Sequence, residues 1–424
     1  MATTINRTAL FRASCLSLLV TSLSFGIRAG ILDGLGSQFH LPATQLASIT
    51  ATAFWGFPLA VVIGGIVVDI IGMKRLLVLA FIFHLIGIIL TIFAGGFWTL
   101  FISTLTIGIA NGTVEAACNP LVTSLYPESK TTKLNHFHLW FPGGIFIGTL
   151  IVLLFNKLGL NWQVQVATML IPTLIYGYLF SKLDFPVTER VSSGVSMAGM
   201  YKALLSPLFI FMFVCMCGTA ITELYTEQWV PVLLKDIGNP ILIVTATSGI
   251  MVIGRGLAKP ILKSIAPQGV LLMSATVAAI GLYLLYTSTG NVFIDAIVFG
   301  MGVCFFWPTM LGFVNENLPK TGAIGLNLMG GAGMLSVSFY TIYMGKYIDS
   351  LVSGKLQGSS LTDAVKATAG SDLANLYDKA KNAAGIDVLH ITSFIPIGLV
   401  VAFAGLVIYM RSKGKTAPLK TAAV

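Results

Sequence analysis

Apolar blocks about 20 residues long recur along the whole chain, as in LLVLAFIFHLIGIILTIFA from Leu76 to Ala94. A helix of that length crosses the roughly 30 Å hydrocarbon core of a bilayer. Hydrophobic residues make up 56% of the chain and charged ones only 10%, against roughly 25% charged in soluble domains. A soluble globule is excluded, and the chain reads as a polytopic all-α membrane protein. Arg7 and Arg12 precede an apolar run that imitates a secretory signal. The run continues to about residue 36 without an A-x-A cleavage site, so it reads as the first membrane helix.

Apolar blocks and their breaks place twelve helices near 11–36, 43–68, 75–94, 98–122, 136–155, 163–182, 204–234, 240–262, 268–289, 291–314, 321–347 and 388–410. With both termini inside, most of the 25 lysines and arginines fall on inner segments, as the positive-inside rule requires. The expected location is therefore the cytoplasmic (inner) membrane, multi-pass, with both termini cytoplasmic. A basic inner surface facing anionic lipid accounts for the net charge of +9, so no nucleic-acid partner is expected. The polar stretch 183–203 divides the chain into an N-terminal bundle (1–182) and a C-terminal bundle (204–424). Segment 350–387 alternates charges and alanines and reads as a solvated helical loop on the outer side. The five cysteines lie in apolar segments and read as packing residues.

Between the second and third helices stands GGIVVDIIGMKRLL, with Gly65, Asp69, Gly72, Lys74 and Arg75 in the pattern G-x-x-x-D-x-x-G-x-[KR]-[KR]. A tight turn needs the glycine, and an acid with its bases can latch helix ends through charge-assisted bonds that break when two bundles rock. This spacing resembles the loop motif of the major facilitator superfamily. The resemblance implies twelve transmembrane helices in two pseudo-symmetric six-helix halves. The halves echo each other: residues 119–144 and 307–331 pair Pro120 with Pro308, Pro127 with Pro319 and Asn135 with Asn327, and each ends in Gly-Gly. In the second copy the loop motif keeps Arg255 but no acid, and Arg255 is grouped with the gating residues.

Glu115 stands in NGTVEAACNP, inside an apolar helix and 15 residues from the next base. A carboxylate at mid-membrane costs about 2.5–3.5 kcal/mol on insertion scales, so it must face a cavity, find a partner or hold a proton. Two readings stand: a proton-coupling acid, or a structural hydrogen bond to a neighbouring helix. Arg28 is costlier still, because it cannot shed its charge. Asp33, five residues on, is off its face, which leaves an Arg28–Glu115 pair across helices one and four as the simplest expectation.

EAACNPLVTSLYPES with Leu134–Asn135, the run Asp33-x-x-x-x-Gln38-Phe39, and the second-half G-R-G at 254–256 with IAP at 265–267 are similar to the fucose permease branch, the fucose–galactose–glucose proton symporters. That resemblance implies roles in proton coupling and sugar binding for Asp33 and Glu115. Where the family has two fifth-helix amides this chain has His138 and Phe141, three residues apart, and Arg28 replaces a neutral residue. A ring pair in place of two amides suits a less hydroxylated or glycosidic sugar.

In the seventh helix, Glu223 and Glu227 are one turn apart, with Gln228 and Trp229 beyond. Amides and carboxylates that grip hydroxyls, beside a ring that stacks on a sugar face, suit a sugar cavity. The other reading puts Glu227, Gln228 and Trp229 at the outer interface, where tryptophan is common. His138 reads as a solute or relay contact, or as packing. Candidate solute contacts are thus Arg28, Asn119, Asn135, His138, Phe141, Glu223, Glu227, Gln228, Trp229, Trp307 and Asn327.

His136 and His138 do not share a helix face and lack a third ligand, so no metal is expected. No phosphate-binding loop or cofactor fingerprint occurs, so neither ATP nor a cofactor is expected, and the chain is not read as an enzyme. The expectation is a monomeric, proton-coupled secondary transporter of a small hydrophilic solute, a sugar, in a lipid bilayer. A carrier of an anionic solute such as a uronate is the alternative, favoured if Arg28 stands unpaired in the cavity. A non-transporting receptor is the reading from another class.

Overall fold

The computed structural model describes residues 5–414 except 40, 42, 189, 190, 192, 193, 195, 196, 228–239, 289, 290 and 369; the side chains of Asp33 and of residues 36, 37, 43, 44, 46, 47, 197, 240, 345, 362, 365 and 366 also lie outside the described residues. Among the described residues twelve long helices run in order: α1 (Arg7–Phe39), α2 (Ala43–Ile71), α3 (Met73–Ile92), α4 (Phe97–Leu125), α5 (Lys130–Lys157) and α6 (Trp162–Lys182) form the N-terminal half. The C-terminal half comprises α7 (Pro207–Tyr225), α8 (Pro240–Gly256, continued by Ala258–Ser264), α9 (Pro267–Thr287), α10 (Val292–Asn317), α11 (Gly322–Lys355) and α12 (Asp372–Ser412). Eleven are long and apolar enough to cross a membrane, and the α8 pair, bent by 56° at Leu257, makes up to 12. Counted as twelve crossings, the chain has both termini on one side, called the terminal side below.

Helix starts follow from local chemistry. Ser206 caps α7, accepting from the Phe209 amide at 3.4 Å, with Pro207 in the first turn where no intrahelical donor is needed. Asn161 accepts from the Val164 amide (3.1 Å), and Ser371 accepts from the Ala374 amide (3.2 Å). Two boundaries differ from those that hydropathy alone places, one of them set by such a cap. The Ser371 cap starts α12 at Asp372 rather than near 388, and α11 runs on to Lys355, so segment 350–387 consists of two helix extensions joined through the short helix Leu361–Lys366. At the other end of the scale, α5 begins at Lys130 rather than 136, because polar residues enter the bundle interior there: Lys130, Thr131, Thr132 and Asn135 are buried.

Small residues set the closest approaches. A Cβ on Gly112 of α4 would lie 2.2 Å from the Phe57 carbonyl oxygen of α2, and one on Gly26 of α1 would lie 2.8 Å from the Ile145 oxygen of α5. Interior van der Waals contact of this kind substitutes for the hydrophobic drive that lipid does not provide. One polar network ties the N-terminal half together. Tyr176 meets His84 Nδ1 at 2.7 Å, His84 Nε2 meets Asn111 Oδ1 at 2.8 Å, and Asn111 Nδ2 donates to Ser24 Oγ at 3.2 Å. Four helices, α1, α3, α4 and α6, are thereby joined through satisfied buried groups.

The halves meet where α2 packs on α11 and where α5 packs on α8 and α10. Trp55 stacks edge-on against Phe339 at 6.3 Å, and a Cβ on Gly331 would lie 2.9 Å from Val62.

Candidate functional site

Prolines decide where the seam is polar. A proline lacks the N–H that the carbonyl four residues earlier would accept, so each buried proline strands one carbonyl. Pro142 strands that of His138, Pro308 that of Cys304, and Pro120 that of Ala116. All three carbonyls are taken by side chains of α8 or α11. Arg255 Nη1 donates to His138 O at 2.7 Å, Arg255 Nε donates to Cys304 O at 2.6 Å, and Asn327 Nδ2 donates to Ala116 O at 3.0 Å. Two of these bonds cross between the halves. α5 and α10 are also interrupted, at Leu139 and at Cys304–Phe305.

Arg255 is 1% exposed, so its charge needs a counter-charge. Glu223, 2% exposed, supplies it: Arg255 Nη2 lies 2.8 Å from Glu223 Oε1, while Glu223 Oε2 has no side-chain hydrogen-bond partner among the described residues. A π-helical turn over Ile221–Tyr225 carries Glu223, a local widening that often marks functional sites. One turn on, Glu227 accepts from Ser248 Oγ at 3.1 Å, so both acids face α8.

Across the seam, Glu115 is 3% exposed. Asn119 Nδ2 donates to Glu115 Oε2 at 2.7 Å, and His138 Nε2 lies 3.0 Å from Asn119 Oδ1. With the Asn119 amide nitrogen committed to the carboxylate, its oxygen must accept, so the network assigns the hydrogen to His138 Nε2. His138 Nδ1 then faces Glu115 Oε1 at 3.8 Å. Without a proton on one of them two lone pairs oppose each other, so the pair forms a slot for one proton. The His138 carbonyl is the one Arg255 holds, which links this slot to the ion pair of the other half.

The terminal side is closed by a second cluster. Glu316 Oε1 of α10 accepts from both the Thr131 amide (3.1 Å) and Thr131 Oγ1 (2.5 Å), in the first turn of α5, where unsatisfied amides favour an anion. Asn135 Nδ2 donates to Thr309 Oγ1 at 3.3 Å. Asn135 and Asn327, the echoed pair, thus each reach into the opposite half. On the far side Thr245 Oγ1 donates to Thr149 Oγ1 at 2.9 Å. Replacing Glu316 with alanine strands the Thr131 amide, so the terminal side should open more readily by about 1–3 kcal/mol. Hydrogen–deuterium exchange should show residues 128–135 exchanging at least about fivefold faster, with α9 unchanged; equal rates would deny Glu316 a part in closure.

The expected Arg28–Glu115 pair does not form. Arg7 meets Glu128 at 3.7 Å, which levels the start of α1 with the end of α4. At 1.5 Å per residue Arg28 stands roughly 30 Å along α1 from Arg7 and Glu115 roughly 15 Å along α4 from Leu125, so depth separates them. Arg28 lies 5.8 Å from the Phe25 ring centroid and lines a cavity of about 30 Å³ inside the N-terminal half, with Ile31, Thr104 and Met169. Among the described residues no carboxylate pairs with it.

His138 and Phe141, expected to line one cavity, turn apart: His138 meets Asn119, while Phe141 packs on Phe25 at 5.8 Å. The α5 break at Leu139 lies between them. Trp307 is buried at 7% exposure against the α11 glycines, 2.9 Å from where a Cβ on Gly333 would stand. The Asp33 side chain, Gln228 and Trp229 lie outside the described residues.

In the loop motif Gly72 adopts φ 85°, Asp69 accepts from Thr188 and Lys74 Nζ donates to Leu183 O at 2.9 Å, so the motif holds the start of the polar stretch that follows α6; Arg75 is exposed. A Cβ on Gly65 would lie 2.7 Å from Asn327 Cβ. Arg255 stands apart from that loop, at the centre. Sequence reasoning missed Glu316, Thr131 and Ser248; proline spacing is the signal that would have found the carbonyls holding Arg255 and Asn327.

A family model described as Major Facilitator Superfamily matches residues 14–340. Among solved structures, the proton:xylose symporter XylE bound to 6-bromo-6-deoxy-D-glucose superposes with a TM-score of 0.75 at 13% identity, covering 97% of this chain and 98% of that one. FucP in the outward conformation, the E. coli fucose:proton symporter, gives 0.69 at 16% identity over 93% and 98%. Curated relatives match over shorter stretches. A D-xylose transporter of Levilactobacillus brevis is 27% identical over 158 residues, 36% of this chain and 35% of its own. Solute carrier family 2, facilitated glucose transporter member 10 of Xenopus laevis is 25% identical over 161 residues, 37% and 29%. The matched stretches therefore span only about a third of these relatives.

Proposed function

The chain belongs to the major facilitator superfamily, and from that premise we propose that it is a proton-coupled secondary transporter of a small hydrophilic solute, a sugar, working by alternating access. The carrying observation is the connected buried cluster in which the Glu115–His138 slot and the Arg255–Glu223 pair share the His138 peptide across the seam. A proton entering the slot changes the charge beside the peptide that Arg255 holds. Opening toward the terminal side must break Glu316–Thr131, Asn135–Thr309 and Asn327–Ala116; opening toward the far side must break Thr149–Thr245. Arg255–His138 lies between and is exposed to either motion.

The names of the relatives and of the superposed structures support a sugar as solute. Buried carboxylates and amides at the centre support a ligand rich in hydroxyls. The positive-inside pattern supports a cytoplasmic membrane with both termini cytoplasmic, and the chain is proposed to act as a monomer. An anionic solute gains little support from Arg28, which faces a cavity inside one half rather than the seam between halves.

The test is uptake by the purified protein in sealed vesicles with an inward proton gradient, using labelled L-fucose, D-xylose and D-glucose in turn. Accumulation of one above its outside concentration, collapsed by a protonophore, is the expected result. Uptake that stops at equilibrium would make the protein a facilitator, and accumulation of D-glucuronate alone would make it an anion carrier.

A further inference from the structure

The central cluster contains one guanidinium and three carboxyls, and the hydrogen bonds that Arg255 makes reach only one of them. Its Nε and Nη1 are held by the Cys304 and His138 carbonyls, and its Nη2 by Glu223. Glu115 has the proton slot shared with His138. Glu227 is left over. Its neighbours can be named element by element. On α7 the nearest titratable group is Glu223, a like charge; α8 contributes the Ser248 hydroxyl, Thr247 and, farther off, the committed Arg255; α9 and α10 contribute Leu285, Ala296 and Phe299. Among the described residues no free cation faces it.

The cavity beside Glu227 has a volume of about 10 Å³, enough for one water at most. It cannot admit a sugar ring, nor the five or six oxygens a metal cation requires, and the described residues that wall it, apolar but for Thr247, offer no counter-charge. Against these walls a proton is the cation that fits. We propose that Glu227 is a second proton-binding carboxyl, half-buried inside the C-terminal half, whose proton keeps the Arg255–Glu223 pair exclusive. Binding converts the carboxylate to the acid: Oε1 stays the acceptor of Ser248 Oγ–H, and Oε2 takes the hydrogen. When that proton leaves, a second anion competes with Glu223 for Arg255 and loosens the hold on the His138 carbonyl. The site thus flanks the ion pair opposite the Glu115–His138 slot, and only its consequence for transport rests on the function proposed above.

The measurement is the infrared band of protonated carboxyls in the full chain reconstituted in lipid vesicles, from acid to alkaline pH. Glu227→Gln mimics the acid form and should fold, while removing one component of the band. Ser248→Ala keeps the acid but deletes the hydrogen bond to its carbonyl oxygen, so the same component should remain and move to higher frequency. A band unchanged by both substitutions would overturn the proposal, since Glu227 would then be ionised. Should Glu227→Gln not fold, the Ser248→Ala shift decides alone. Loss of the component in a protein that accumulates no sugar would refute the transport reading and leave this one standing; an unchanged band in an accumulating protein would do the reverse.

Discussion

Glu115→Gln should reduce solute accumulation to equilibrium while leaving exchange of solute across the membrane intact. The substitution keeps the shape and an acceptor for Asn119 Nδ2, so the 2.7 Å bond survives. What disappears is the slot for one proton between the side chain and His138 Nδ1. A one-unit pH gradient supports about a tenfold solute ratio at one proton per solute, and the variant should show none of it. Counterflow of labelled solute, which needs the halves to rock but no net proton movement, should run near the wild-type rate. Accumulation at the wild-type level would remove Glu115 from the coupling mechanism, and loss of both activities would make it a packing residue instead.

Arg255→Met should lose most of the folded protein, because it strands Glu223 without a cation and frees the His138 and Cys304 carbonyls at once. Breaking a buried ion pair from one side costs roughly 3–5 kcal/mol, comparable to a typical total stability. Adding Glu223→Gln removes the stranded charge and should recover part of that loss, visible as a higher melting temperature of the double variant than of Arg255→Met. Additive losses would mean that Arg255 is held by its two carbonyls and not by Glu223. The same comparison made with Arg28→Met and Glu115→Gln should be additive, since depth along α1 and α4 keeps those residues apart.

Legibility follows the range of each signal. Membrane residence and the apolar spans rest on consecutive residues and their hydropathy, and the spans reappear as 11 long apolar helices, or up to 12 with the bent α8 pair. Helix ends fared less well where a polar cap overrode hydropathy, as at Ser371, or where polar residues turned inward, as at Lys130 to Asn135. The isolation of Glu115 was plain in the sequence, and so was its need for a partner.

Which partner it takes was not. Pairing Arg28 with Glu115 was the simplest expectation once Asp33 was set aside, yet Glu115 turns to Asn119 and His138, and the cation at the centre is Arg255. Partner choice depends on the depth and rotation of helices, which the packing of many distant residues fixes together: Gly112 against Phe57, Gly26 against Ile145, Gly333 against Trp307. One long-range fact did lie in the sequence unread, because Pro120, Pro142 and Pro308 each mark a carbonyl that must find a donor elsewhere. The sequence by itself determined that these carbonyls and acids would be stranded in lipid; only the tertiary structure decided that Arg255 and Asn327 would reach them, since a buried group's partner is whichever donor the packed helices bring within about 3 Å.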